Sequence, residues 1–196
     1  AGLQPYPFGP IVQLLVLTGQ RRSEIAALRR EWVNNDERRI TFPGTITKNR
    51  RTHVIPYGDN VHRILSDLPN VGDDYFPAAR THVRGKPTTV FNGWSKAKAE
   101  FSKTLDNVAP WTLHDLRRTL SSTLAALGTP IHVTEKLLNH TSGTVSGVAA
   151  IYNRYNYMPE MHTAVAAFEG CLNGMLKSAR DEASEPPASQ KFDVAA

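Results

Sequence analysis

The spacing of apolar residues divides the chain into a series of helices and one short region of strands. Pro10 stands where a first helical residue would, and the apolar run after it predicts a largely buried helix that Thr18-Gly19 ends. A second helix is predicted over residues 21–33. Apolar stripes at helical spacing predict further helices over residues 58–69, 91–105 and 160–176.

Residues 37–57 change to a pattern that is typical of strands. Three short β-branched runs, RRITF, TITK and RTHVIPY, are divided by Pro43-Gly44 and by Asn49-Arg50. These runs predict a small antiparallel sheet, with Lys48 at the end of the second run. The predicted fold class is therefore mainly α with a small antiparallel β-sheet, an α+β architecture.

A helix in the middle of the chain has a clear start and a clear end. Thr112 and Asp115 form a capping-box-like start, and Gly128 is a natural C-terminal stop. His114 falls in the first turn, where backbone N–H groups and the helix dipole favour an anion, and Arg117 lies one turn further on. The predicted buried face consists of Leu113, Leu116, Leu120, Leu124 and Leu127.

After this helix, Thr129-Pro130 starts another one, and His140 comes just past its end. The apolar residues that this next helix is predicted to bury are Ile131, Val133, Leu137 and Leu138. A Gly/Ser/Thr segment then leads into a helix that carries Tyr152 and Tyr155. The residues from 178 onward are polar and interrupted by proline, so we predict one domain over 1–177 and a flexible tail over 178–196.

Composition narrows the class of protein. The chain has 196 residues, of which 40% are hydrophobic and 21% charged, and its apolar runs are too short to span a bilayer. The single cysteine, Cys171, excludes an internal disulfide and a multi-cysteine metal site. We therefore expect a cytoplasmic protein without a membrane partner. Residues 1–159 carry 20 basic and 12 acidic side chains, an excess that favours a polyanion such as nucleic acid.

Several charged residues have both a functional and an ordinary interpretation. His114 and Arg117 at the mouth of a helix suit a phosphate that a nearby tyrosine could attack, but an ordinary capped helix would look the same. Arg21 and Glu24 can meet across one helical turn and orient the guanidinium, or form a surface ion pair worth under about 1 kcal/mol. The basic hairpin tip at Lys48 either contacts a phosphate backbone or is only a charged edge.

Taken together, five motifs resemble the catalytic domain of the tyrosine recombinases, specifically the phage-type integrases. They are, in order, LLVLTGQRRSEIAALR, ITKNRRTHVIP, HDLRRT, LLNH and IYNRYNY. The resemblance implies the tyrosine recombinase catalytic-domain fold and a catalytic set of Arg21, Lys48, His114, Arg117, His140 and Tyr152. It also implies that Glu24 orients Arg21. We expect the DNA-binding residues to include Arg22, Arg50, Arg51 and Arg118.

The sequence departs from the family pattern in two places within these motifs. Asn139 stands where glycine is commoner, and the segment between His140 and Tyr152 is a few residues longer than usual. Tyr155 is therefore the alternative nucleophile, whereas Tyr157 is interpreted as a core or turn residue. Because the chain starts almost at the first motif, we expect an isolated catalytic domain.

The resemblance implies site-specific cleavage and rejoining of DNA through a 3′-phosphotyrosine link, without metal, cofactor or ATP. The implied partners are double-stranded DNA at specific sites and three further copies in a tetramer on DNA, the isolated domain being a monomer. Two alternatives keep the fold: a catalytically inactive DNA-binding module, and type IB topoisomerase-like relaxation. A metal-dependent hydrolase using His114, Asp115 and His140 is a third. The helix over 160–176 either docks on a neighbouring protomer or packs on its own domain.

Overall fold

The computed structural model describes residues 4–78, 90–140 and 155–184. Its helices are α1 Phe8–Thr18, α2 Arg22–Ala26, α3 Asp59–Asp67, α4 Trp94–Lys103, α5 Leu113–Ala126, α6 Ile131–Leu137 and α7 Met158–Ser184. Its strands are β1 Val33–Asn34, β2 Arg39–Phe42 and β3 His53–Pro56. The predicted fold class, mainly helical with a small antiparallel sheet, is confirmed.

Helix α1 lies at the centre of the core. Eight of its 11 residues are buried, and it packs against α2, α3, α5 and α7. This burial explains why its sequence is apolar on nearly every side. The helix ends at Gly19, whose φ of +61° is in the left-handed region. A Cβ atom there would lie 2.8 Å from the Leu138 side chain, so the ends of α1 and α6 approach each other closely.

The three strands form an antiparallel sheet in the order β1-β2-β3. In β2 and β3, Ile40 faces Ile55 and Phe42 faces His53 across the ladder. The run TITK was predicted to be a strand, and that prediction is wrong. Its residues form turns in the loop between β2 and β3, where the Thr47 hydroxyl donates to the backbone carbonyl of Arg51 at 2.8 Å.

The predicted second helix over residues 21–33 is shorter in the structure. Helix α2 ends at Ala26, the chain becomes extended at Arg29, and a 3₁₀ turn covers Arg30–Trp32. The backbone there pairs with another segment instead, since the Tyr75 N–H donates to the Leu28 carbonyl at 2.9 Å. The Arg30 guanidinium also donates to backbone carbonyls of residues 69 and 72. These distant contacts replace the hydrogen bonds of a continued helix.

The start of α5 agrees with the prediction from its sequence. Thr112 is the N-cap, and its backbone N–H and its hydroxyl each donate to the Asp115 carboxylate at 2.8 Å. The predicted apolar faces are wrong at the turn that joins α5 to α6. Leu127 and Ile131 are 43% and 61% exposed, although both were expected to be buried.

Helix α7 begins near the predicted position but continues further than its apolar stripe. Met161, Val165 and Phe168 are buried, so its first half packs on this domain. The helix then runs to Ser184 and includes the first seven residues of the predicted tail. Met175 and Leu176 on this second half are 60% and 48% exposed. The division at residue 177 thus falls inside a helix.

Candidate active site

An open cavity of about 610 Å³ lies where α2, α4, α5 and the loop between β2 and β3 meet. Arg21 is the residue that precedes α2, Lys48 lies in the loop, and His114 and Arg117 occupy the first turns of α5. All four side chains line the cavity. The structure therefore brings together four residues that lie nearly a hundred positions apart in the sequence.

His140 is placed by the end of α6. The N–H of His140 donates to the Glu135 carbonyl at 2.9 Å, and the N–H of Asn139 donates to the Lys136 carbonyl at 3.2 Å. This pair of bonds is a Schellman motif, which requires a left-handed residue directly after the helix cap. Asn139 has a φ of +53°, which explains why asparagine can stand where glycine is commoner.

The last carbonyl groups of α6 accept hydrogen bonds from side chains of the site. Gln20 Nε2 and His53 Nε2 lie 3.0 and 3.1 Å from the Leu137 carbonyl oxygen. The Leu138 carbonyl accepts from Arg117 Nη2. A helix leaves its final carbonyls without partners inside the helix, and these groups must be satisfied when they are buried. The end of α6 thus holds the side chains that surround it.

Arg117 is almost fully buried, with 4% of its surface exposed. Its Nη1 donates to the Gly19 carbonyl at 2.7 Å, so the guanidinium bridges the ends of α1 and α6. Burial, with a smaller contribution from the charge of Arg21, lowers the pKa of Arg117 to about 10, and Glu24 opposes the change. The group remains a cation at neutral pH.

Arg21 is held by one carboxylate and one carbonyl. Its Nη1 lies 3.0 Å from Glu24 Oε1, and its own backbone N–H donates to Glu24 Oε2 at 3.0 Å. The Glu24 side chain is fully buried, so this contact differs from a solvated surface pair. Arg21 Nη2 also lies 3.4 Å from the Asn139 carbonyl oxygen. The guanidinium is therefore fixed at the rim of the cavity.

The two histidines of the predicted set lie in an electropositive environment. Partial burial lowers the pKa of His114, and the charges of Arg117, Arg118 and Arg21 lower it further while Asp115 opposes them. Partial burial and the same two cavity arginines also lower the pKa of His140. Both imidazoles are therefore neutral at pH 7. A site where cations act on one another in this way suits an anionic ligand.

The loop that carries Lys48 is joined to the end of α6. Asn49 Nδ2 donates to Asn139 Oδ1 at 2.6 Å, and Asn139 Nδ2 lies 3.4 Å from Asn49 Oδ1. Within the loop, Asn49 Oδ1 also accepts the Arg51 N–H at 3.2 Å. Asn139 thus lies beside Arg21, the Lys48 loop and His140 at once.

The predicted DNA-binding arginines occupy different surroundings. Arg22 lines the cavity, with its guanidinium 5.6 Å from the centre of the Trp94 ring. Arg50 and Arg51 are exposed on the loop. Arg118 is exposed and forms an ion pair with Asp115 at 2.8 Å. Of these four, Arg22 is the one that the structure places in the cavity wall.

Of the three tyrosines in the last motif, the structure describes two. Tyr152, the predicted nucleophile, lies outside the described residues. Tyr155 is 51% exposed, and its ring contacts that of Tyr157 at a centroid distance of 4.9 Å. Tyr157 packs against the core and has a φ of +55° directly before α7, so its interpretation as a core or turn residue is confirmed.

Sequence reasoning missed several residues of this site. Gln20 and His53 contact the end of α6, Asn49 contacts Asn139, and two indole rings line the cavity. The Lys98 ammonium lies 4.8 Å from the centre of the Trp111 ring. The departure at Asn139 was the one visible signal, since a residue other than glycine in that turn brings a side chain to the site.

The described ranges hold neither a candidate metal site nor a candidate membrane span. Residues 4–78, 90–140 and 155–184 contain no group of three or more His, Cys, Asp or Glu side chains arranged to hold a metal ion. In the same ranges, no helix has both the length and the apolar character needed to cross a membrane.

Comparison with known proteins identifies the family. The sequence model of the phage integrase family matches residues 7–158, well over half of the chain. The chain belongs to the phage integrase family. Prophage integrase IntZ of Escherichia coli strain K12 is 38% identical to this family member over 56 residues, which are 29% of this chain and 14% of that protein.

Solved integrase structures share the fold. The integrase from mycobacterium phage Brujita superimposes with a TM-score of 0.58 at 20% identity, covering 82% of this chain and 50% of that one. The catalytic domain of bacteriophage HP1 integrase gives 0.52 at 22% identity, covering 72% and 73%. The Tn1549 transposon integrase in complex with transposon right end DNA gives 0.54 at 16% identity, covering 72% and 54%. This family member thus spans about half the length of the Brujita integrase.

Proposed function

We propose that this chain is the catalytic domain of a site-specific DNA recombinase that cleaves and rejoins strands through a 3′-phosphotyrosine intermediate. The observation that supports this proposal most directly is the cavity that Arg21, Lys48, His114 and Arg117 share. Two guanidinium groups fixed at its wall suit the non-bridging oxygens of one phosphodiester. The neighbouring neutral imidazoles are suited to proton transfer.

The proposed reaction needs one bond made and one broken at phosphorus. The Tyr152 oxygen attacks the phosphorus atom, and its proton passes to a neutral imidazole, His114 or His140. The bond from phosphorus to the 5′ oxygen breaks, and Lys48 gives that oxygen a proton. The products are a 3′-phosphotyrosine and a 5′ hydroxyl, and rejoining is the reverse. Arg21 and Arg117 stabilise the charge that develops on the phosphate, and Glu24 orients Arg21.

The test is the formation of a covalent adduct on a nicked suicide duplex. The probe carries the junction sequence at which the element that encodes this protein joins its host chromosome. We expect an adduct with the unmodified protein, its loss in Tyr152→Phe, and its retention in Tyr155→Phe. The opposite pattern in the two variants would move the nucleophile to Tyr155. A chelator should leave the rate unchanged, and inhibition by it would favour a metal-dependent hydrolase.

Two further outcomes would contradict the proposal in different ways. Salt-sensitive binding of the duplex without any adduct would indicate a catalytically inactive DNA-binding module. Relaxation of supercoiled plasmid without exchange between two sites would indicate topoisomerase-like activity. Recombinant products between two junction duplexes are the result that the proposal requires.

The proposed partner is double-stranded DNA at specific recombination sites, bound as a tetramer, with the isolated domain a monomer in the cytoplasm. Arg22, Arg50, Arg51 and Arg118 are proposed to contact the phosphate backbone. Replacing a residue that contacts a phosphate should reduce the salt dependence of DNA binding by about one counterion. Sedimentation with and without the junction duplex would measure the change in assembly.

A further inference from the structure

We propose that the amide pair between Asn49 and Asn139 is a positioning device that sets Lys48 against the cleaved bond. The inference rests on the proposed function, because it assigns the pair a role through the general acid of that reaction. Asn49 is the residue next to Lys48, and its side chain exchanges contacts of 2.6 and 3.4 Å with that of Asn139. The two residues are 90 positions apart in the chain.

One partner in this pair is rigidly placed. The backbone of Asn139 is fixed by the Schellman motif at the end of α6, and its carbonyl oxygen lies 3.4 Å from Arg21 Nη2. The same residue directly precedes His140. A side chain that extends from this point therefore has a fixed relation to the arginine that would bind the phosphate. Because Asn49 hydrogen-bonds to this side chain, the position of the loop relative to Arg21 is fixed as well.

The loop itself needs such a contact. It closes on itself, since the Thr47 hydroxyl donates to the Arg51 carbonyl and a Cβ atom on Gly44 would lie 2.6 Å from the Arg50 carbonyl oxygen. This hydrogen bond and this close backbone approach shape the loop, but both lie within it and neither joins it to the wall of the cavity. Lys48 is exposed, and its flexible stem would sample many positions. Fixing the neighbouring residue limits where its ammonium group can reach.

The left-handed turn does not by itself require asparagine. Glycine adopts a φ of +53° at no steric cost, so the turn and the placement of His140 would persist without the amide. What asparagine adds at this position is the side chain that reaches Asn49. A substitution of Asn139 by glycine therefore separates the amide pair from the backbone geometry.

The experiment uses two versions of the nicked junction duplex that differ in one bridging atom. One has the natural 5′ oxygen at the cleaved bond, and the other has sulfur. A thiol has a pKa of about 8.5, so a sulfur leaving group departs without a proton. Loss of a general acid should therefore slow cleavage of the oxygen substrate and spare the sulfur substrate. Lys48→Ala defines the full size of this difference.

We expect Asn139→Gly and Asn49→Ala to slow adduct formation on the oxygen substrate by about 10- to 100-fold, the scale of an active-site misplacement. Both variants should stay within about threefold of the unmodified protein on the sulfur substrate. The double variant should be no slower than the worse single variant, since each change breaks the same contact. Asn49→Ala leaves the left-handed turn at residue 139 unchanged. It therefore tests the amide pair even if Asn139→Gly has a folding defect.

A matched control is available outside the cavity lining. Asn60 Nδ2 donates to Asn173 Oδ1 at 3.1 Å, an amide contact of the same kind between α3 and α7. Asn173→Ala should leave both rates unchanged. Equal slowing of both substrates by Asn139→Gly and Asn49→Ala, or no slowing of either, would overturn the inference. The inference would also be overturned if the sulfur substrate did not restore the cleavage rate of Lys48→Ala.

The inference and the proposed function fail in distinguishable ways. If the unmodified protein forms no adduct with either duplex, the proposed function is wrong and the inference falls with it. If it forms adducts with both, sulfur restores the rate of Lys48→Ala, and the two asparagine variants show no preference for sulfur, only the positioning role is wrong.

Discussion

The stability of this domain should depend on pH through His53. The side chain is 6% exposed, and its Nε2 lies 3.1 Å from the Leu137 carbonyl oxygen. Burial is the main cause that lowers the pKa of His53 from 6.5 to about 4, and the charges of Arg117, Arg21 and Lys136 contribute to this shift, whereas the hydrogen bond to Leu137 opposes it. The native state therefore holds a neutral imidazole that donates to the end of α6.

The sign of the effect follows from comparing the two states. Between pH 6.5 and pH 4 the unfolded chain binds a proton at His53, whereas the folded chain does not. The folded state is thus at full stability above pH 6.5 and loses stability as the pH falls towards 4. Linkage gives a loss of about 2 kcal/mol in the free energy of unfolding between pH 7 and pH 5, and about 3 kcal/mol by pH 4.

The assay is urea unfolding followed by circular dichroism at pH 7, 6 and 5, with His53→Gln as the comparison. The glutamine amide can still donate to the Leu137 carbonyl, but it does not titrate. The other histidines and the carboxylates titrate in both proteins, so their contributions cancel in the difference between the two curves.

We expect the unmodified protein to lose about 2 kcal/mol more than His53→Gln between pH 7 and pH 5. Parallel pH profiles for the two proteins would contradict this prediction, because they would mean that His53 titrates alike in the folded and unfolded chains. A gain in the stability of the unmodified protein relative to His53→Gln, as the pH falls from 7 to 5, would show that the sign is wrong.

Three further predictions address other parts of the site. Gly19→Ala should lower the free energy of unfolding by about 2–4 kcal/mol, because the added Cβ meets a left-handed φ and a leucine side chain. Gly128→Ala, which also has a left-handed φ but open space around it, should cost about 1 kcal/mol. Urea unfolding measures both. Lys98→Ala should lower the salt slope of duplex binding by about one, and Lys96→Ala on the same helix should not, as measured by fluorescence anisotropy. Inorganic phosphate should raise the pKa of His114 in an NMR titration, and an unchanged value would contradict an anion site.

The parts of the site that sequence could predict depend on contacts within one helical turn. The capping pair Thr112 and Asp115 and the ion pair of Arg21 with Glu24 both join residues three positions apart. Such spacings have few geometric outcomes once a helix is assumed. The capping pair therefore predicts where α5 starts, and the start of the helix places His114 in its first turn.

The parts that sequence did not predict depend on contacts between distant segments. Gln20 lies 117 positions from its partner Leu137, and His53 lies 84 positions from the same residue. No periodicity within either segment indicates such a pairing. The short α2 has the same cause, because backbone pairing with residues 73–75 ends a helix whose apolar pattern continues to Trp32.

The end of α6 explains how two arginines can lie together in this site. Helix carbonyls carry partial negative charge at the C-terminus, and those of Leu138 and Asn139 accept from Arg117 and Arg21 respectively. With one buried carboxylate, Glu24, they offset the repulsion between the guanidiniums and fix their planes. Arginine has five N–H donors, and these scaffold contacts engage two nitrogens of each side chain while further N–H groups remain to meet a phosphate. Lysine could supply the charge at either position but not this division of donors, so a lysine variant should bind DNA and still cleave slowly.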